Sequence, residues 1–255
     1  MYPFIHIGPL TLGTYGLMVA IGLVCAFFIL RADLERRGIP ADAEAIVGIT
    51  GLSGLAGSRL YHVLETPGEF FADPWPQLFS TMGFAWFGAV IGGFLALLLL
   101  ARRIRLPALL MLDVTSPAAA LGYGIGRIGC LISGDGDYGI PTSLPWGMSF
   151  PNGIVPTTER VHPTPIYEFL GAVVIAWILW KVGARVWKAK SPDGMVFAAY
   201  LLLTGVARFL VEFIRINPRS FFGLTNAQTA SLASILGGVI LWIALQRSAP
   251  APRRA

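Results

Sequence analysis

Charge is scarce in this chain of 255 residues: Asp, Glu, Lys and Arg together make up 13% of it, against 55% for hydrophobic residues. A water-soluble domain carries about a quarter charged residues, so the composition argues against that class and for a membrane protein. Cysteine is nearly absent. Cys25 and Cys130 are too few for a disulfide framework, and both sit in apolar runs, where a buried thiol is ordinarily inert. The opening MYPFIHIGPLTLGTYG lacks the positively charged region of a secretory leader, so no cleavage is expected there. A fixed-period repeat, a low-complexity tract and a soluble domain of useful size are also missing. The net charge is +5, but the basic residues form no single patch, which argues against nucleic acid as a partner.

What is present is a series of apolar stretches, each close to the roughly 20 residues needed to cross a bilayer. They fall at 12–30, 44–63, 83–101, 107–132, 164–183, 194–214 and 223–246. The expected fold is therefore all-α, a polytopic membrane protein with seven transmembrane helices. Pro107 suits the first turn of the fourth span. The second span is rich in Gly and Ser, residues that let helices pack closely in lipid. The longest segment between spans, 133–163, is rich in Gly, Pro, Asp and Ser and reads as an ordered loop on the outer face. The whole of 1–255 is expected to form one membrane-embedded domain that includes this loop.

Orientation follows from the connecting segments, because short cytoplasmic loops accumulate Lys and Arg. RADLERR, ARRIR, KVGARVWKAK and QRSAPAPRRA follow the odd-numbered spans and hold 13 of the 19 basic residues, whereas the intervening loops, such as ETPGEFFADPWPQ, read as acidic or neutral. This pattern places the N-terminus outside and the C-terminus in the cytoplasm.

Six basic residues depart from the pattern: Arg59, Arg127, Arg160, Arg208, Arg215 and Arg219. All are arginine. Arg59, Arg127 and Arg208 fall near the outer ends of spans two, four and six. An arginine at bilayer depth costs about 2.5–3.5 kcal/mol on insertion scales, so three at one level require a reason. Snorkelling to the headgroups would serve for Arg215 and Arg219. In GVARFLVEFIR, however, Arg208, Glu212 and Arg215 stand at i, i+4 and i+7 and are expected on one helical face. One acid between two arginines leaves a positive surplus, and the guanidinium fork suits phosphate oxygens. The three histidines, His6, His62 and His162, are all expected on the outer side. His162 lies in the rigid segment VHPTPIYEFLG. In SGDGDYG the glycines read as a tight turn, and Asp135 and Asp137 are candidate partners for Arg127. The calcium-loop pattern, with its terminal glutamate, is absent.

The stretch GYGIGRIGCLISGDGDYG at 122–139, followed by PTSLPWGMSFP and HPTPIYE, resembles the signature region of the prolipoprotein diacylglyceryl transferase family. LGTYGLM around Tyr15, GSRLYHVL, FGAVIGG, GVARFLVEFIR and LTNAQTASLASILGG are similar, in order, to further segments of that family. The resemblance implies a seven-helix enzyme of the bacterial inner membrane, with a periplasmic N-terminus and no metal or organic cofactor. It implies transfer of the diacylglyceryl group of phosphatidylglycerol to the lipobox cysteine of prolipoproteins, with release of glycerol 1-phosphate. By position, Arg127 and Arg208 would contact the phosphate, and Glu212, Arg215, Tyr15, Arg59, Asp135 and Asp137 would line the substrate site. Gly129 and Gly139 would frame the signature. The family often has a histidine or tyrosine where this chain has Phe87, which cannot accept a proton. The base is therefore expected to be His162, with His62 and Tyr15 as alternatives. Two other functions fit the same residues: a non-catalytic protein that binds anionic phospholipid or lipoprotein precursors, and an anion channel. Against a channel, the inner halves of the spans are nearly all Leu, Ile, Val, Ala and Phe.

Overall fold

The computed structural model describes residues 1–75 and 85–248. The first two residues of the third expected span, the Pro76–Gln77 end of the acidic loop, and Arg253 and Arg254 of the basic tail lie outside the described residues. Those described form eight α-helices and six short strands, the strands paired as three antiparallel hairpins. The chain divides into two compact units, Leu34–Met111 and Met1–Asp33 with Leu112–Ala255.

In the Leu34–Met111 unit, α2 (Ala43–Glu65) begins at Asp42, whose carboxylate accepts from the backbone N–H groups of Glu44 at 2.9 Å and Ala45 at 3.2 Å. This is the usual way to satisfy the open donors of a first turn. The short α3 (Pro67–Ala72) follows, and then α4 (Trp86–Arg103). Helices in lipid gain little from apolar contact as such and dock where small residues let backbones approach. A methyl on Gly57 would collide with the carbonyl oxygen of Gly88, and one on Gly92 with that of Ser53. The Gly and Ser content that dilutes the apolar character of the second stretch is thus what seats α2 on α4.

The other unit opens with the hairpin β1 (Phe4–Ile7) and β2 (Leu10–Gly13), which leads directly into α1 (Thr14–Arg37). Its remaining long helices are α5 (Ala108–Ser133), α6 (Thr164–Lys188), α7 (Met195–Val211) and α8 (Asn226–Ser248). Ala120 of α5, Ile175, Ala176 and Leu179 of α6 and Val196 of α7 form a shared core. Gly205 and Gly238 bring α7 and α8 together, since a methyl at either would lie 2.8 Å from Ile235 or 2.9 Å from Leu202. Asp113, 1% exposed on α5, accepts from the backbone N–H of Gly194 at 2.7 Å and of Phe197 at 2.8 Å. A buried carboxylate of one helix therefore caps the N-terminus of another, where the helix dipole favours negative charge.

Among the described residues, six helices are long and apolar enough to cross a membrane: α1, α4, α5, α6, α7 extended to Ile214, and α8. The protein is a multi-pass, all-α membrane protein with small hairpin elaborations. The second expected span is a helix of 23 residues, long enough to cross but not among the six that also meet the apolar requirement. Leu99, Trp177 and Leu236 are 60% or more exposed on three of the six. Apolar side chains bared in this way along long helices suit lipid as the surrounding medium.

The segment after α5 is ordered. Gly134 and Gly136 have φ of +60° and +94°, a conformation that a side chain resists, and they turn the chain sharply away from α5. The hairpin β3 (Met148–Phe150) and β4 (Thr157–Val161) carries a small core in which Phe150 stacks on Tyr138 with ring centroids 5.2 Å apart. Arg160 holds the loop closed by donating to the carbonyls of Leu144, Pro145 and Gly147.

One helical expectation is corrected. Arg208, Glu212 and Arg215 do not share an α-helical face, because α7 ends at Val211, Glu212–Ile214 is a single 3₁₀ turn and Arg215 is extended at φ −88°, ψ 157°. Arg215 is drawn off the helix by pairing with the loop, where it forms an isolated antiparallel bridge with Gly139. The third hairpin, β5 (Arg219–Phe221) and β6 (Leu224–Thr225), follows, and there Arg219 donates to the carbonyl of Gly223.

Candidate active site

Three arginines from two stretches of chain converge near the end of α5. Arg127 lies six residues before the end of that helix, Arg208 in the last turn of α7 and Arg215 just beyond the 3₁₀ turn. Their side chains meet on Glu168 of the first turns of α6, which is 4% exposed at the side chain. Arg127 approaches Glu168 with Nε at 3.1 Å and Nη2 at 3.0 Å, Arg208 with Nη1 at 2.5 Å and Arg215 with Nη1 at 3.3 Å. The Tyr123 hydroxyl, one helical turn before Arg127, donates to the same carboxylate at 2.6 Å. Isolated charges in a low-dielectric interior are very costly, and this mutual pairing is what makes the burial tolerable.

Two further carboxylates complete the cluster. Asp137 of the glycine loop pairs with Arg127 at 2.5 Å and with Arg215, and its main-chain carbonyl accepts from Arg215 Nη1 at 2.9 Å and from Thr164 Oγ1 at 2.5 Å. Burial pushes the Asp137 carboxyl upward, but the guanidinium groups of Arg127 and Arg215 outweigh it and hold the group down at about 2. Glu212 pairs with Arg208 at 2.9 Å and Arg215 at 3.5 Å and accepts from the Asn217 amide at 2.5 Å. Three carboxylates therefore face three arginines. The expected positive surplus is not found by count, because α6 and the loop bring acids that the GVARFLVEFIR segment does not contain. Exposure is uneven, however. The side chains of Arg208 and Asp137 are 27% and 31% exposed, against 11% for Arg127 and 4% for Arg215. Arg208 presents the accessible cationic edge. A guanidinium has five N–H donors, so pairing with Glu168 and Glu212 leaves capacity for phosphate oxygens.

The profile of the prolipoprotein diacylglyceryl transferase family matches residues 3–244. The chain belongs to that family. It is 34% identical over 235 residues to the phosphatidylglycerol–prolipoprotein diacylglyceryl transferase of Clostridium tetani, a match covering 89% of this chain and 91% of the relative. The enzyme of the same name from Geobacter sulfurreducens is 32% identical, with 98% and 96% covered. That of Nitrosospira multiformis is 34% identical, with 98% and 88% covered.

Of the other residues expected to serve a prolipoprotein diacylglyceryl transferase site, Tyr15, Gly129, Asp135, Gly139 and His162 belong to the same compact unit as this cluster. Gly129 lets α1 approach α5, since a methyl there would lie 3.1 Å from both the Tyr15 ring and the Met18 side chain. Gly139 lies where the loop crosses Ile214, and a methyl there would strike the Ile214 carbonyl and come within 3.0 Å of His162. Asp135 is not an ion-pair partner of the arginines; its carboxylate accepts from the Asp137 N–H at 3.2 Å. Burial, and then the charge of Asp137, push its carboxyl above the usual range. Of the two candidate acids, Asp137 is therefore the one that engages Arg127. His162 Nδ1 lies 3.2 Å from the Tyr167 hydroxyl, which also accepts from Trp146 Nε1 at 2.7 Å. Its main-chain groups exchange hydrogen bonds with Gly139 and Ile140. Arg59 is buried on α2, in the other compact unit, and His62 is half-buried on the same helix.

Sequence reasoning missed Glu168, Tyr123 and the contact of Arg127 Nη1 with the Cys130 sulfur at 3.4 Å. The signal for Glu168 was the arginine count itself: three buried cations demand more than the single acid of GVARFLVEFIR, and the acid of HPTPIYE lies on the face of α6 that carries Thr164, one turn earlier.

Proposed function

We propose that this chain transfers the diacylglyceryl group of phosphatidylglycerol to the lipobox cysteine of prolipoproteins, releasing glycerol 1-phosphate, at the periplasmic side of the bacterial inner membrane. Seven crossings of one membrane-embedded domain, with the N-terminus periplasmic and the C-terminus cytoplasmic, accord with the distribution of Lys and Arg. The observation that carries the reading is the convergence of Arg127, Arg208 and Arg215 on Glu168 in a member of this family.

In the reaction the thiol sulfur attacks the glyceryl carbon that bears the phosphate. A carbon–sulfur bond forms, the carbon–oxygen bond breaks, and the electron pair leaves on the phosphate oxygen of glycerol 1-phosphate. Charge grows on that oxygen in the transition state, so donors fixed in advance accelerate the step. Arg208, at the accessible edge, grips the phosphate. Arg127 acts behind it, oriented by Glu168 and Asp137, and Arg215 and Glu212 fix the geometry of both. Asp135, Gly129 and Gly139 shape the loop and the α1–α5 contact around the lipid, and Tyr15 lines the approach. A free thiol has a pKa of about 8.5, and the positive edge at Arg208 assists its ionisation. His162, steadied by Tyr167, accepts the proton.

The experiment is complementation of a cell depleted of its own transferase, followed by incubation of the purified protein with labelled phosphatidylglycerol and a lipobox peptide. Growth and a thioether-linked diacylglyceryl peptide are expected. Lipid binding without peptide labelling would reject the transferase reading in favour of a binding protein. If turnover is found, His162→Gln should lower it with lipid binding intact, and unchanged turnover would remove His162 as the base.

A further inference from the structure

The β1–β2 hairpin has an apolar face that plays no part in the chemistry above. Its register pairs Ile5 with Leu12 and Ile7 with Leu10, and strand alternation places these four side chains on one face. All four are exposed, at 38% for Ile5, 60% for Ile7, 54% for Leu10 and 36% for Leu12. The opposite face is polar at its centre, where His6 Nδ1 and Thr11 Oγ1 lie 3.0 Å apart. A lone two-stranded hairpin with a bare apolar face is marginal in water. This one is nevertheless fixed at its base: the Tyr2 N–H donates to the Ile132 carbonyl at 3.1 Å, and the Thr14 N–H and hydroxyl donate to the Pro3 carbonyl at 2.9 and 3.0 Å.

The occupant of that face is indicated by continuity. The hairpin runs without a break into α1, one of the helices fit to cross the membrane, whose Leu17, Ile21, Val24 and Phe28 are likewise bare. Tyr2, 76% exposed, stands at the hairpin base and is of the residue type that favours the headgroup level. We propose that the hairpin is an interfacial insert, with Ile5, Ile7, Leu10 and Leu12 immersed in the leaflet at the Arg127 end of α5 and the His6–Thr11 face turned to headgroups and water. The tether gives this a consequence for the active site. Ile132 is five residues beyond Arg127, about 7.5 Å along a helix axis, and interfacial elements sink about 5–10 Å into the headgroup boundary. The hairpin thereby holds the Arg127 turn just beneath the headgroups, at the depth of the bond to be broken. This last step rests on the transferase reading.

Two measurements test it. Single cysteines replacing Ile5, His6, Ile7, Leu10, Thr11 and Leu12 in a Cys25→Ser chain are spin-labelled in vesicles of phosphatidylethanolamine and phosphatidylglycerol, with the unsubstituted Cys25→Ser chain giving the background from Cys130. Collisions with oxygen should exceed those with a water-soluble nickel chelate at 5, 7, 10 and 12, and the reverse should hold at 6 and 11. Six labels all open to nickel would overturn the proposal, as would a face shielded from both reagents, which would mean that a second copy or another protein covers it. This arm requires no turnover, so it decides the place of the hairpin even if the transferase reading fails. In the second arm, the Ile7→Asp, Leu10→Asp double variant should lose about tenfold in transfer from vesicle phosphatidylglycerol and stay within about twofold on detergent-dispersed lipid. Equal losses in both would overturn the positioning role.

Discussion

Replacing Glu168 with glutamine tests the organisation of the site most directly, because the change keeps shape and volume and removes one charge. In the folded protein that carboxylate receives three guanidinium groups and a tyrosine hydroxyl. Glutamine offers a single acceptor oxygen and turns an NH₂ group toward cations that can only donate. Removing one partner of a buried ion pair costs about 3–5 kcal/mol, and hydrogen bonds to charged groups contribute about 1.5–3 kcal/mol each. Arg127 and Arg215 keep Asp137, and Arg208 keeps Glu212, so the lower end of that range, about 3 kcal/mol, is the expected loss. In a chain of this size each kcal/mol lowers the thermal midpoint by about 2–4 °C, which gives a fall of roughly 10 °C. Turnover should drop at least about a hundredfold, since Arg127 and Arg208 would no longer be held in register. Tyr123→Phe removes one neutral donor from the same carboxylate and should cost about 1.5 kcal/mol, the lower end for a hydrogen bond to a charged group. The assay is thermal unfolding in detergent, paired with transfer to a lipobox peptide. A Glu168→Gln protein as stable and as active as its parent, or less affected than Tyr123→Phe, would refute the claim that Glu168 organises the arginines.

Arg208→Lys retains the charge but replaces the planar fork with a point charge, and peptide labelling should fall by about a hundredfold with little change in thermal midpoint. Asp137 is held at about 2, below its ordinary 3.8, so its stabilisation is complete above pH 4 and is lost as pH falls from about 4 to about 2. Acid unfolding should show this fall, and Asp137→Asn should abolish that part of it. Gly92→Ala would drive a methyl into the Ser53 carbonyl, and calorimetry should read a loss of at least about 2 kcal/mol. Asp113→Ala leaves the Gly194 and Phe197 N–H groups without their buried acceptor; a cost of about 2–3 kcal/mol is expected, and hydrogen exchange at those two amides should accelerate.

The sequence was legible where one residue must answer to the medium around it. Arginines at bilayer depth are so costly that Arg127 and Arg208 stood out individually, and the helices came from apolar length alone. The partners of those arginines were harder to see, because pairing depends on what tertiary structure brings together. Glu168 is 41 residues from Arg127 and sits in a segment that reads locally as the mouth of a helix. Asp135 and Asp137 differ only by two positions in a glycine turn, and the positive φ of Gly134 and Gly136 aims one of them at Arg127. Arg215 seemed to continue a helical face because a heptad spacing says nothing about where a helix ends. The bridge to Gly139 that ends it forms only once the loop has folded. The short hairpins were invisible for a similar reason, since strands of two to five residues are too brief to show a pattern of their own.

The Asp113 cap bears on how a phospholipid could reach the arginines. Asp113 and Arg127 are 14 residues apart on one helix, about 21 Å along its axis. Each links α5 to α7, the first at the N-terminus of α7 and the second through Glu168 to its last turn. The two helices are thus riveted at top and bottom like the stiles of a ladder, and prising them apart would break charged bonds at both rungs. On the transferase reading, an opening wide enough for two acyl chains would therefore lie between some other pair of helices, with α5 and α7 as its fixed jamb.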